Sequence, residues 1–139
     1  THPSGTLATT LIQVKEIMAK TNEIPIVHAN TTIEKAIKEM TNKKLGVVCV
    51  KEKNGKINLI TDGDIRRNSN NLYKKAISKV YNKNPNWIND SATALSAVDK
   101  MNSRKITSLL VTQNLYINKK IKKLVGILHL HHCLSKGIK

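Results

Sequence analysis

The hydrophobic and polar positions of this chain predict one series of elements that occurs twice. A short apolar segment around Pro25 leads into a helical pattern. The continuous apolar stretch 45–50 follows, and after Asn54-Gly55 comes a second apolar stretch that ends before Thr61. Continuous apolar stretches are typical of strands covered on both faces, and Asn-Gly is a strong hairpin signal. The pattern therefore predicts a strand, a helix, two paired strands and a helix that begins at Thr61.

The second half of the chain repeats this order. Residues 85–88 correspond to the segment around Pro25, a helical pattern follows, and the stretches 106–112 and 124–128 predict the paired strands. A polar turn then begins at His129. The sequence therefore predicts an α/β fold built from one unit used twice, with a polar strand-to-helix turn at the same place in each copy.

Capping residues predict where the helices begin. Thr31 and Glu34 form a capping-box pattern before the first helix, and Asp90 or Ser91 would cap the corresponding helix of the second copy. Further helices are predicted over 10–18, 72–80 and 131–136, and a Lys-rich hairpin loop over 114–123.

The composition bounds the function. The 139 residues are 40% hydrophobic and 3% aromatic, with a net charge of +15. No apolar run approaches the roughly 20 residues of a membrane span. The charge would suit nucleic acid, but Lys is spread along the whole chain and aromatic side chains for base stacking are nearly absent, which argues against that partner. Cys49 and Cys133 lie in apolar surroundings, so we expect buried free thiols and a reducing cytoplasm.

Several motifs together resemble the C-terminal segment of bacterial arabinose-5-phosphate isomerases, which is a tandem pair of CBS domains. The most specific is Thr61-Asp62-Gly63-Asp64 at the end of a strand. The others are 2–5 followed by an apolar helix, 23–27, 44–46, 60–67 and 124–131.

The resemblance implies two βαββα units with pseudo-twofold symmetry. It places a linker and leading helix over 1–19, the first CBS domain over 20–71 and the second over 72–139. In that family an upstream sugar-isomerase domain interconverts ribulose 5-phosphate and arabinose 5-phosphate for the synthesis of Kdo, a sugar of lipopolysaccharide. Any catalytic residues would therefore lie outside this segment.

The resemblance also implies a regulatory role with a nucleotide effector, for which AMP, ATP or a CMP-linked sugar are the candidates. CBS pairs associate with one another, so a homodimer inside a larger oligomer is expected, together with contact to the isomerase domain. The alternative is a purely structural module that holds the parent oligomer together and binds no ligand.

Thr61 and Asp64 are the first candidates for ligand binding. A hydroxyl and a carboxylate three residues apart at a strand-to-helix turn can face one cleft, and a carboxylate can accept hydrogen bonds from both hydroxyls of a ribose. The alternative is that Asp62 or Asp64 caps the helix. Arg66 and Arg67, one turn further on, could neutralise a phosphate, and Arg66 is the one predicted as a ligand-binding residue. The alternatives are a solvated helix face or a salt bridge to the partner copy.

His129 and His131 would line the corresponding cleft of the second copy. Together with His132 and Cys133 they have the chemistry of zinc ligands, but no second ligand pair stands elsewhere in the chain, so no metal is expected. The resemblance adds Ile26 and Asp62 to the ligand-binding residues.

Four positions qualify this interpretation. Relative to the family pattern, Ser4 and Asn58 each replace a glycine and His132 replaces an aspartate; this last change weakens the second site. Trp87 would pack in the core or at a subunit contact, and stacking on a ligand is a third interpretation. Neither a Gly-rich phosphate loop nor a Ser-His-Asp set nor a pair of catalytic carboxylates is evident, so no catalysis by this segment is expected.

Overall fold

A computed structural model describes residues 8–113 and 121–139. The expected junction at 2–5 and most of the expected loop over 114–123 lie outside the described residues. In chain order the elements are α1 (Val14–Ile17), β1 (Ala19–Lys20), β2 (Ile26–His28), α2 (Ile33–Lys43), β3 (Val47–Lys51), β4 (Ile57–Thr61), α3 (Asp62–Arg67), β5 (Trp87–Asn89), α4 (Ala94–Arg104), β6 (Ser108–Thr112), β7 (Gly126–His129) and α5 (Leu130–Leu134).

The chain divides into two compact units, each with its own sheet. The Thr61 unit contains residues 22–85 and 121–122. The described part of the His129 unit contains residues 8–21, 86–113 and 123–139. The mixed α/β fold and the repeated order of elements agree with the sequence prediction.

The Thr61 unit is built on a three-stranded sheet with the order β2-β3-β4. Strand β2 runs parallel to β3, and β3 runs antiparallel to β4. The β3–β4 connection contains Gly55 at φ +92°, in the left-handed region that glycine tolerates. Val48, Val50 and Ile60 are completely buried and pack with α2 through Ala36. This face of the sheet is the hydrophobic core of the unit.

The His129 unit has a four-stranded sheet with the order β1-β7-β6-β5. Leu109, Val111 and Leu128 lie in its core together with Met101 of α4. Val14 of α1 is also completely buried there. The segment that precedes the first repeat therefore packs in the unit that carries the second repeat.

Each sheet is flanked at its last strand by the segment that precedes the other repeat. In the His129 unit, β1 runs antiparallel to β7 with Ala19 opposite Ile127. In the Thr61 unit, Leu59 and Asn82 form an antiparallel bridge with two backbone hydrogen bonds of 3.2 and 2.7 Å. This grouping differs from the predicted boundaries, which separated residues 1–19 and began the second domain at residue 72.

The two long helices begin later than predicted. Helix α2 is capped by Thr32, whose hydroxyl accepts a hydrogen bond from the Lys35 amide at 3.2 Å, rather than by Thr31. Helix α4 is capped by Thr93, which bonds the Ser96 amide at 3.1 Å, rather than by Asp90 or Ser91. In both cases more than one residue with a hydroxyl or carboxylate stands just before the helix, and the cap is the one that immediately precedes the first helical residue.

The shorter helices also differ from prediction. The single helix predicted over 72–80 is two 3₁₀ turns, Leu72–Lys74 and Ile77–Lys79, because Ala76 between them is extended at ψ 143°. The helix predicted over 10–18 is interrupted: residues 8–10 are helical, residues 11–13 are not, and the helix resumes at Val14–Ile17 before Met18 turns into β1. The last helix is Leu130–Leu134. In the described ranges no helix has the length and apolar character needed to cross a membrane.

Candidate functional site

Thr61 and Asp64 form a reciprocal cap where β4 turns into α3. The Thr61 hydroxyl accepts a hydrogen bond from the Asp64 amide at 3.1 Å. Asp64 Oδ2 in turn accepts the Thr61 amide at 2.9 Å and the Thr61 hydroxyl at 3.1 Å. The two side chains that the sequence singled out therefore lie together, and one of the roles expected from the sequence, capping by Asp64, is present.

Arg67 binds the other oxygen of the Asp64 carboxylate. Arg67 Nη2 lies 2.6 Å from Asp64 Oδ1, with the Arg67 side chain 70% exposed and that of Asp64 14% exposed. The guanidinium lies beside Gly63 in the first turn of α3. A methyl group added to Gly63 would lie 3.1 Å from Arg67 Nη1. Both Asp64 oxygens therefore contact groups of the same corner.

Asp62 occupies a separate position beside Gly46. The Asp62 amide donates to the Gly46 carbonyl at 3.0 Å. Gly46 has φ +68°, and an added methyl group would lie 2.9 Å from Asp62 Oδ2. The absence of a side chain at residue 46 thus makes room for the carboxylate. The sequence singled out Asp62 but did not indicate this dependence.

Ile26 lies on the same face of the sheet as Thr61. It stands opposite Cys49 in the β2–β3 ladder, and Cys49 stands opposite Leu59 in the β3–β4 ladder. Thr61 follows Leu59 by two residues, so its side chain is on the same face. Ile26 is 40% exposed. Two strand spacings, about 10 Å, separate its strand from that of Thr61.

Arg66 lies in α3 between Ile65 and Arg67, and its side chain is exposed. Side chains at i and i+3 share one side of a helix, whereas those at i and i+2 do not face each other. Arg67 therefore faces Asp64, and Arg66 points elsewhere. The sequence predicted Arg66 as the ligand-binding arginine, whereas the structure brings Arg67 to Asp64.

The corresponding corner of the His129 unit is capped by histidines. The His129 amide donates to His132 Nδ1 at 3.0 Å, and the His131 amide donates to His129 Nδ1 at 3.0 Å. The rings of His129 and His131 stack with their centres 4.8 Å apart. Within the residues that the structure describes, no set of three His, Cys, Asp or Glu side chains is placed to hold a metal ion.

Two buried polar side chains were not identified as such from the sequence. Ser108 Oγ and Asn58 Oδ1 are buried without a hydrogen-bond partner among the described residues. Ser108 stands opposite His129 in the β6–β7 ladder, and Asn58 Nδ2 donates to Glu52 Oε2 at 2.9 Å. The sequence signal for Asn58 was its replacement of a family glycine. Ser108 had no signal, because serine is common at strand ends.

The two thiols are buried and have low reactivity at neutral pH. Cys49 and Cys133 are both free and buried, as the sequence predicted. Burial raises the pKa of the Cys49 thiol to about 12 and that of the Cys133 thiol to about 11. Both are therefore protonated at neutral pH, and a thiol in that form is a poor nucleophile.

Known proteins match this chain along both of its halves. The CBS domain family model matches residues 14–71 and 77–138. The chain is 40% identical over 139 residues to arabinose 5-phosphate isomerase KdsD of Francisella tularensis, covering 96% of this chain and 40% of that protein. It is 35% identical to an uncharacterized protein of Rickettsia prowazekii, covering 99% and 41%. The chain thus spans about two fifths of the length of these relatives.

Solved structures share the fold. The CBS domain pair of protein MJ0100, determined with 5′-methylthioadenosine and S-adenosyl-L-methionine, matches with a TM-score of 0.76 at 22% identity, covering 93% of this chain and 99% of that one. CBSX2 in complex with AMP matches with a TM-score of 0.74 at 20% identity, covering 91% and 96%. The two family matches, one in each half of the chain, show that this chain belongs to the CBS domain family and carries two copies of the domain.

Proposed function

We propose that this chain is the regulatory part of an arabinose-5-phosphate isomerase and that it binds a nucleotide beside Thr61 and Asp64. The proposal for the parent enzyme rests on the identity of 40% to KdsD of Francisella tularensis and 32% to KdsD of Salmonella typhi over almost the whole chain. The isomerase activity itself, its substrate and its place in Kdo synthesis are part of the proposal. They would belong to a neighbouring domain.

The observation that carries nucleotide binding is the chemistry of the Thr61 corner. Asp64 Oδ1 faces an exposed arginine, and the Thr61 hydroxyl both donates and accepts within the same turn. Each carboxylate oxygen can accept two hydrogen bonds, so Asp64 can cap the helix through Oδ2 and bind a sugar hydroxyl through Oδ1. Ile26, exposed on the same face, is suited to contact with a flat apolar group such as a base.

Proteins of the same fold support an adenosine ligand. AMP is bound in CBSX2, ATP in the CBS domain of a bacterial CNNM/CorC family Mg²⁺ transporter, and two adenosyl compounds in the MJ0100 pair. A CMP-linked sugar is the alternative effector, because an end product of the parent's pathway would be a logical regulator. Regulation requires that the effector bind two states of the parent with different affinity, typically by about 1–3 kcal/mol.

Isothermal titration calorimetry tests this proposal. AMP, ATP and a CMP-sugar are titrated into the chain, into Asp64→Asn and into Asp99→Asn. Asp99 is an exposed aspartate of α4, so its variant is a matched control for loss of one carboxylate. We expect at least one nucleotide to bind the wild type and the Asp99 variant equally, and to bind Asp64→Asn about tenfold or more weakly, since a hydrogen bond to a charged group contributes about 1.5–3 kcal/mol.

A purely structural role is the second candidate. It is favoured by the fact that Thr61 and Arg67 already contact both oxygens of Asp64, so that capping alone accounts for the corner. In that case the chain would serve self-association of the cytoplasmic parent. Absence of heat for all three nucleotides at millimolar concentration, together with a homodimer in sedimentation analysis, would support this role over the first.

A further inference from the structure

We propose that Arg67 selects a phosphorylated nucleoside over an unphosphorylated one at the Thr61 corner. The inference rests on the proposed nucleotide binding and adds a specificity residue to it. On ligand binding, the Arg67 guanidinium would exchange its contact with Asp64 for the phosphate, and Asp64 Oδ1 would accept the ribose hydroxyl.

The position of the guanidinium supports this role. An added methyl group on Gly63 would lie 3.1 Å from Arg67 Nη1 and 3.5 Å from the Thr61 hydroxyl oxygen. The two side chains therefore border the same space over Gly63, which holds no side chain of its own. A ligand whose sugar contacts Thr61 and Asp64 would carry its phosphate within reach of the Arg67 fork, which matches phosphate geometry.

The strength of the present contact allows the exchange. The Arg67 side chain is 70% exposed and that of Asp64 is 14% exposed. Water can therefore solvate the guanidinium when the contact opens, but the Asp64 carboxylate then needs another partner. The ribose hydroxyl would be that partner, which keeps the cost of the exchange small. A phosphate, with its charge of about −2, is a stronger partner for the guanidinium than one carboxylate.

Two comparisons within the chain support the assignment of phosphate selectivity to Arg67. Arg66 carries the same charge one residue away but points from a different side of α3, so it is a matched control. In the His129 unit, His131 stands at the position of Gly63 and Ser135 at that of Arg67. The second corner thus lacks both the open space and the cation, and no phosphate selectivity is expected from it.

Calorimetry with AMP and adenosine tests the inference on the wild type, Arg67→Ala, Arg66→Ala and Gly63→Ala. We expect the wild type to prefer AMP. Arg67→Ala should reduce the AMP-to-adenosine affinity ratio at least tenfold while adenosine binds as before or slightly more tightly. Gly63→Ala keeps all charges but displaces the guanidinium, so it should reduce the ratio in the same direction. Arg66→Ala should keep the ratio within twofold.

The outcomes separate the two proposals. Binding of both ligands with an unchanged ratio in Arg67→Ala and Gly63→Ala would overturn the role of Arg67 and leave nucleotide binding intact. Loss of the ratio in Arg66→Ala alone would transfer the role to Arg66. If the wild type bound neither ligand, this inference would be wrong, and the proposed function would stand only if ATP or the CMP-sugar bound in the titrations described above. Circular dichroism of each variant checks the fold, and Gly63→Ala provides the test if Arg67→Ala does not fold.

Discussion

The two strand-to-helix corners have the same backbone contact and different chemistry. In each, the amide of the first residue donates to the side chain of the fourth, from Thr61 to Asp64 Oδ2 at 2.9 Å and from His129 to His132 Nδ1 at 3.0 Å. A carboxylate has a second oxygen for another partner, whereas a neutral imidazole has one acceptor nitrogen. The cap is therefore common to both corners, and the second oxygen of Asp64, which contacts Arg67, is what distinguishes the Thr61 corner.

The second residue of each corner also has the same backbone contact and a different side chain. The Asp62 amide bonds the Gly46 carbonyl at 3.0 Å, and the Leu130 amide bonds the Thr107 carbonyl at 2.8 Å. Only Gly46 leaves space for a carboxylate against its α-carbon. The first corner thus combines glycine with aspartate, and the second combines threonine with leucine.

The largest expected difference between the units is in the stability cost of substitutions at Gly126 and Asn58. These residues hold equivalent positions, three residues before His129 and Thr61. A methyl group on Gly126 would collide with Met18 Sδ and lie 2.8 Å from the Ala19 carbonyl. Gly126→Ala should therefore lower the free energy of unfolding by about 1–3 kcal/mol, measured by urea denaturation.

The matched change is Asn58→Ala. Asn58 is completely buried, and its removal loses the hydrogen bond from Nδ2 to Glu52 at 2.9 Å. It also removes the cost of Oδ1, which has no partner among the described residues, so the two effects offset each other. We expect a change of less than about 1 kcal/mol. Equal destabilisation by the two variants would contradict the expected difference between these positions.

Each unit contains one buried thiol, and its removal should have an effect of intermediate size on the pH dependence of the free energy of unfolding. Because burial raises the pKa of Cys49 to about 12, the folded state keeps a proton that an unfolded thiol loses near pH 8.5. The stabilisation is present below pH 8.5 and declines as the pH rises toward 12. Between pH 8 and 10 the free energy of unfolding should fall by roughly 2 kcal/mol less in Cys49→Ala than in the wild type.

Cys133→Ala provides the comparison. The pKa of Cys133 is raised to about 11, so this thiol also stays protonated in the folded state between pH 8 and 10. Its removal should flatten the alkaline dependence by nearly the same amount in that range, and the two variants should diverge only above about pH 10. The measurement is urea denaturation at a series of pH values for both variants. If either variant lost stability more steeply than the wild type at alkaline pH, burial of the thiol would not be the cause of the dependence.

The smallest expected effect distinguishes the caps. The His129 amide donates to one ring nitrogen of His132, whereas an aspartate offers two oxygens and a negative charge at the helix N-terminus. His132→Asp should therefore stabilise the protein by about 0.5–1 kcal/mol. Thermal unfolding measures this, with Asp64→His as the reverse exchange. A His132→Asp variant less stable than the wild type would contradict the expected difference between the two caps.

The sequence predicted the repeated elements because continuous apolar strands, the Asn54-Gly55 hairpin and the Thr61 turn are local signals. It also placed Thr61 and Asp64 together, since a capping box is a matter of spacing. It could not predict that Arg67 rather than Arg66 reaches Asp64, which depends on helix phase and on the space over Gly63. Nor could it show which hydroxyl caps α2, because Thr31 and Thr32 are chemically alike.

The packing of Val14 and β1 in the His129 unit has a practical consequence for the design of fragments of this protein. Cutting the chain by the order of its repeats would deprive residues 86–139 of the strand that completes their sheet and of a core valine. A fragment beginning at residue 86 would present the bare backbone of β7 as an unprotected edge, open to aggregation. The two copies are similar in sequence order, yet the second depends on a stretch of polypeptide made before the first.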